Sequence, residues 1–109
     1  MSEEANLLRS MAYADKEAKI TAVTVTETPS IFTSSLTSEY NRKGLFVYNN
    51  SNSASGEVYY GYEATMNPFS KSRPIPKGSV IEIPTHQDIK VYFCADAGEK
   101  GDLRVEELA

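Results

Sequence analysis

Residues 44–62 read GLFVYNNSNSASGEVYYGY. Two alternating apolar runs flank a stretch of small polar residues, and that arrangement decides the fold class. In GLFVYNN, Leu45 and Val47 oppose Phe46 and Tyr48, the period of two that an extended chain imposes on its side chains. Both faces carry bulk, which predicts a central strand buried on both sides. The run 49–56, NNSNSASG, has nothing to bury and reads as a loop. EVYYGY then sets Val58, Tyr60 and Tyr62 on one face and Glu57, Tyr59 and Gly61 on the other. The spacing predicts a hairpin with the polar loop at its tip.

The same period extends in both directions. On the N-terminal side, ITAVTVTETP is rich in β-branched residues, with Val23 and Val25 on one face, until Pro29 interrupts it. SIFTSSL, residues 30–36, is a weaker strand candidate. On the C-terminal side, MNPFSKSRPIPKGS reads as an extended loop, because Pro68, Pro74 and Pro76 lack the donor that a central strand needs. The turn PKGS leads to VIEIP, with Ile81 and Ile83 inward. IKVYFCA places Ile89, Val91, Phe93 and Ala95 together, and DLRVEEL points Leu103 and Val105 inward against Arg104 and Glu106 outward. Six to seven short strands punctuated by turns predict an all-β domain over residues 19–109, an antiparallel β-sandwich or jelly-roll-like barrel.

The first eighteen residues follow a different period. Leu7, Met11, Ala14 and Ala18 recur at helical spacing, with Leu8 and Ala12 beside them, and Ser2 followed by Glu3 and Glu4 suits a helix start. A short amphipathic helix or docking arm is predicted over residues 1–18. Its apolar stripe is thin and a helix of this length is marginal alone in water, so it must dock on its own domain or on a partner. Leu7, Leu8 and Met11 are its contact candidates.

A chain of 109 residues supports one core. Its formal charge of −4, with basic residues clustered only at Arg42-Lys43 and between Lys71 and Arg73, argues against nucleic-acid binding. No apolar run approaches the roughly 18 residues of a membrane-spanning helix. Two glutamates stand where a secretory signal carries positive charge, which predicts synthesis in the cytoplasm. The single Cys94, inside VYFCA, reads as a small buried hydrophobe.

Chemistry is hard to assemble from these residues. His86 lies two residues before Asp88 in a turn, but no nucleophile elbow accompanies it. One cysteine and one histidine cannot close a zinc shell, and Asp96, Glu99 and Asp102 lack the ligand spacing of a calcium loop. No glycine loop precedes a helix to cradle phosphate. The expectation is a protein without catalytic residues, metal or cofactor.

Seven tyrosines and no tryptophan remain to be explained. Alternation puts Tyr59 opposite Tyr60 and Tyr62, so both sheet faces carry rings and cannot share one core. Either the proline-rich loop and the helix cover the outer rings, or the rings form a contact surface, for which tyrosine offers large area at low entropy cost. Tyr59, Tyr60, Tyr62 and, in the loop, Phe69 are the candidate partner-binding residues.

The order of motifs resembles that of small β-sandwich structural proteins of tailed bacteriophages. The matching residues are Arg42 before GLFVYNN, Val58 to Gly61 in VYYG, IPKGSVIEIP from Ile75, VYF from Val91, and Val105 with Glu107 in RVEEL. They span Arg42 to the C-terminus, over half the chain, and the MNPFSKSRP insertion departs from the pattern. The resemblance implies a virion protein that decorates or cements the capsid or is otherwise head-associated. Its partners would be other virion proteins, the major capsid protein or a neck or tail protein. Assembly would then be symmetric, as most homo-oligomers are, and a trimer or ring-like arrangement is expected. The alternatives are a neck or tail connector component and a carbohydrate-binding module that stacks sugars on exposed tyrosines.

Overall fold

The computed structural model describes residues 15–37, 39–52, 54–85 and 88–109. These residues form strands and loops, with no helix. The strands are β1 (Ala18–Val25), β2 (Ser30–Ile31), β3 (Gly44–Asn49), β4 (Val58–Gly61), β5 (Ser72–Ile75), β6 (Val80–Glu82), β7 (Tyr92–Ala95) and β8 (Gly101–Leu108). Two antiparallel four-stranded sheets result, in the orders β1-β8-β3-β6 and β2-β7-β4-β5.

First strands pair with last ones: β1 with β8, β2 with β7, β3 with β6, β4 with β5. A long antiparallel ribbon whose tip is residues 62–71, rolled into two layers, has this pattern, which is the strand order of a jelly roll. Among the described strands only β4 and β5 are consecutive within one sheet, and every other connection crosses between layers.

The inner faces supply the core. Val25, Leu45, Val47, Ile83, Leu103 and Val105 of the first sheet and its flanks meet Val58, Ile75, Phe93 and Ala95 of the second, all buried. Each large aliphatic side chain sealed there contributes about 1.5–3 kcal/mol. Phe32 packs edge-on against Phe93, with ring centroids 6.2 Å apart. Strand ends follow local chemistry. Pro29 precedes the short β2, and Pro84 follows β6 and Ile83. The turn between β5 and β6 places Gly78 at a φ of 78°, which a residue with a Cβ rarely adopts, and Ser79 N donates to Pro76 O. At Gly101 a Cβ would collide with the side chain of Val58, so only glycine lets β8 approach β4 that closely.

Several expectations are corrected. Among the described residues eight strands are present rather than six or seven. The polar run 49–56 is no hairpin tip: β3 pairs with β6 and β8, while β4 pairs with β5 and β7 in the other sheet. A polar loop of that length spans the roughly 10 Å between layers as readily as it reverses a strand. The true hairpin joins β4, expected as a strand, to β5, which lies in the segment expected to be loop. Pro74 is tolerated there because β5 is an edge strand. β3 is central in its sheet, yet no element among the described residues packs over its outer face: Tyr48 is exposed and Phe46 half-buried. Ile89 is exposed and precedes β7. Ala18, counted in the helical stripe, opens β1. The rest of the predicted helix, with Leu7, Leu8 and Met11, lies outside the described residues, as does His86. No helix among the described residues is long and apolar enough to cross a membrane.

Candidate functional site

Two surface regions turn apolar or aromatic side chains outward. The first is the outer face of the β1-β8-β3-β6 sheet. Alternation turns Ile20 of β1, Phe46 and Tyr48 of β3 and Val80 of β6 away from the core. The register sets Ile20, Glu106, Phe46 and Glu82 in one row across the sheet, with Ala22, Arg104, Tyr48 and Val80 in the next. Ile20 is 68% exposed and Val80 61%. Between the apolar side chains lies a shallow depression of about 270 Å³, crossed by the β8 residues Arg104 and Glu106. Arg104 is tied to Asp102, whose carboxyl also accepts from Asn50 Nδ2 at 2.9 Å. These two bonds, Arg104's first, hold the Asp102 carboxyl below its ordinary value of 3.8. Sequence reading did not single out this face. Alternation in GLFVYNN and VIE marks its residues, but not that nothing in the described chain lies over them.

The second region is a groove of about 520 Å³ between the end of β4 and the start of β5, lined by Tyr60, Tyr62, Glu63, Lys71 and Arg73 among others. Tyr60 and Tyr62 meet edge to face, centroids 6.1 Å apart at 77°. Lys71 Nζ lies 3.3 Å from Glu63 Oε2. Arg73 stands directly across the ladder from Tyr60. Burial, and then the neighbouring Tyr60, push the Tyr62 hydroxyl above its usual value, with Arg73 opposing. Sequence grouped Tyr60 with Tyr62, and the structure brings them together.

Tyr59 and Phe69 lie elsewhere. Tyr59 points to the opposite face, half-buried, and donates from its hydroxyl to Asp96 Oδ1 at 3.0 Å. Burial, followed by that bond, raises its pKa. Phe69 sits at the ribbon tip in a tight turn where Asn67 and Ser70 exchange backbone bonds and Asn67 Oδ1 accepts from Phe69 N at 2.9 Å. The turn holds the ring outward, 96% exposed.

Beneath the surface, one charged pair was not foreseen. Glu107 continues the inward face of β8 after Leu103 and Val105 and is fully buried. Its Oε1 accepts from Ser35 N at 2.8 Å, and its Oε2 from Ser34 Oγ at 2.6 Å and Arg42 Nη1 at 3.3 Å. This arrangement fastens the β2–β3 connection to the last strand. Period two alone marks Glu107 as inward; its partners come from segments far away in sequence.

The remaining candidates carry structural roles. Asp96 accepts from Glu57 N and Tyr59, and Asp102 from Asn50 and Arg104, so these carboxylates serve turns and strand edges. Among the described residues no three histidine, cysteine, aspartate or glutamate side chains are placed to hold a metal ion. Cys94 is fully buried, and burial pushes its thiol up. In comparisons with known proteins, the chain matches no family model, no curated protein and no solved structure.

Proposed function

We infer that this protein is a non-enzymatic structural protein that works through protein–protein contacts, in the virion of a tailed phage as a capsid-decorating or head-associated component. The observation that carries the contact reading is the exposed apolar face of Ile20, Phe46, Tyr48 and Val80. It is broad and shallow, and it includes the strand that directly follows the N-terminal segment. A flat apolar surface of this kind fits another protein better than a small molecule, which asks for a concave site with converging polar groups. The virion setting rests on the motif order from Arg42 to Glu107. The jelly-roll strand order is compatible with it, being used by capsid and lectin domains alike.

Mass spectrometry of gradient-purified particles encoded alongside the chain tests the setting. The chain should be present in stoichiometric amount, and Val80→Asp should lower its occupancy without lowering its melting temperature. Particles lacking the chain sink the virion reading. Density at the neck or tail instead of the shell would favour a connector role.

The Tyr60–Tyr62 groove favours a second reading, a carbohydrate-binding module. Two rings at an angle beside Arg73 and Ser72 offer stacking faces and donors for a sugar. Glycan-array binding abolished by Tyr62→Ala would support it, and an array without signal would remove it.

A further inference from the structure

We propose that β1 is an assembly edge, which pairs antiparallel with β1 of a second copy about a two-fold axis at Thr21. This deepens the contact reading above and rests on it.

A jelly roll of two open sheets has four edges. Three are blunted here: β2 is two residues long, β5 contains Pro74, and β6 is three residues long. β1 is eight residues long and free of proline, with Lys19 its single charged residue.

The hydrogen-bond phase of β1 identifies the groups on its free side. Glu17 and Ala109 exchange both backbone bonds, at 3.0 and 2.8 Å, so they form a hydrogen-bonded pair just before β1 begins. Antiparallel ladders alternate, which makes Lys19, Thr21, Val23 and Val25 the residues bonded to β8. The N–H and C=O groups of Ala18, Ile20, Ala22 and Thr24 therefore point away from the sheet. Among the described residues no hydrogen bond reaches them. The 33–37 segment touches β1 through a side chain, Thr21 Oγ1 to Ser35 Oγ at 2.8 Å, and leaves the edge open.

These free groups are self-complementary. With Thr21 on the axis, Ile20 faces Ala22 of the second copy and Ala18 faces Thr24, so free donors meet free acceptors. Large side chains meet small ones, and no like charges oppose each other: Lys19 faces Val23. The outer faces then join across the axis into one apolar surface carrying Ile20, Phe46 and Tyr48 from each copy. Strand addition of this kind gives affinity through the main chain and register through alternate side chains. The contact is isologous and joins copies in pairs, unlike the expected trimer or ring.

Sedimentation velocity of the full chain over micromolar concentrations should show a monomer–dimer equilibrium. Ala22→Pro removes a donor only from the free side, so the domain should stay folded while the dissociation constant rises at least about tenfold. Thr21→Cys tests the register independently. Thr21 would face itself in a non-hydrogen-bonded pair with Cα atoms about 4.5 Å apart, within disulfide reach. Under oxidised glutathione it should form a covalent dimer. Lys19→Cys should not, because its copies would lie about 13 Å apart along the strands at ~3.3 Å per residue.

A chain that stays monomeric throughout overturns the proposal. So does a dimer that survives Ala22→Pro and does not cross-link at Thr21→Cys, or amides of Ile20 and Ala22 that gain exchange protection only when another protein is added. Failure here is separable from failure of the functional reading. A dimer cross-linked at Thr21→Cys but absent from particles keeps the edge and sinks the virion role, whereas a monomer found in particles does the reverse.

Discussion

Arg42 Nη1 lies 3.3 Å from Glu107 Oε2, with the two side chains 4% and 0% exposed. A sealed ion pair of this kind is costly to create and more costly to break, because the surviving charge keeps its desolvation penalty and loses its partner. Ser34 and Ser35 complete the carboxylate's hydrogen bonds, so the pair also decides where the β2–β3 connection lies.

Removing the carboxylate should therefore be severe. Glu107→Leu leaves Arg42 charged inside the protein and should cost about 3–5 kcal/mol. The double change Arg42→Met with Glu107→Leu should recover part of that loss. Urea unfolding of the three chains measures both terms, and a Glu107→Leu chain as stable as the parent would show that the pair holds nothing together.

Acid stability should carry the mark of Asp102. Its folded pKa lies below the ordinary 3.8, so the stability it adds is present above 3.8 and is lost as pH falls through the folded value. Asp102→Asn should flatten the fall of melting temperature below that pH. Some acid dependence should remain, since Lys43 lowers Asp15 and the Thr37 backbone and hydroxyl lower Glu17 in the same way. Thermal melts at a series of acid pH values decide it; parallel curves for the two chains would refute the assignment.

Cys94 should behave as a core residue. With its sulfur sealed and its thiol pushed up by burial, native protein should resist Ellman's reagent, whereas protein in denaturant should react completely. Native reaction at the denatured rate would contradict its burial.

Alternation made much of the architecture legible. It placed Val23 and Val25, Leu45 and Val47, Leu103 and Val105 on one side of their strands, and these are the residues that meet in the core. It paired Tyr60 with Tyr62. It also contained Glu107, two residues after Val105, although a glutamate at an inward position reads as an error until its partners are known. What misled was connection: a loop of small polar residues carries no record of whether the next strand lies beside the last one or across the core from it.

The amino-acid sequence by itself determined the all-β class, the strand period and the inward residues, because those depend on neighbours one or two positions apart. Only the tertiary structure decided the strand order, the burial of Arg42 against Glu107, the outward apolar face of Ile20, Phe46, Tyr48 and Val80 and the place of β1 at the end of its sheet. Each of these depends on pairing between segments as distant as Ala18 and Leu108. Such pairing comes from the packing of two whole sheets, which local preference does not encode.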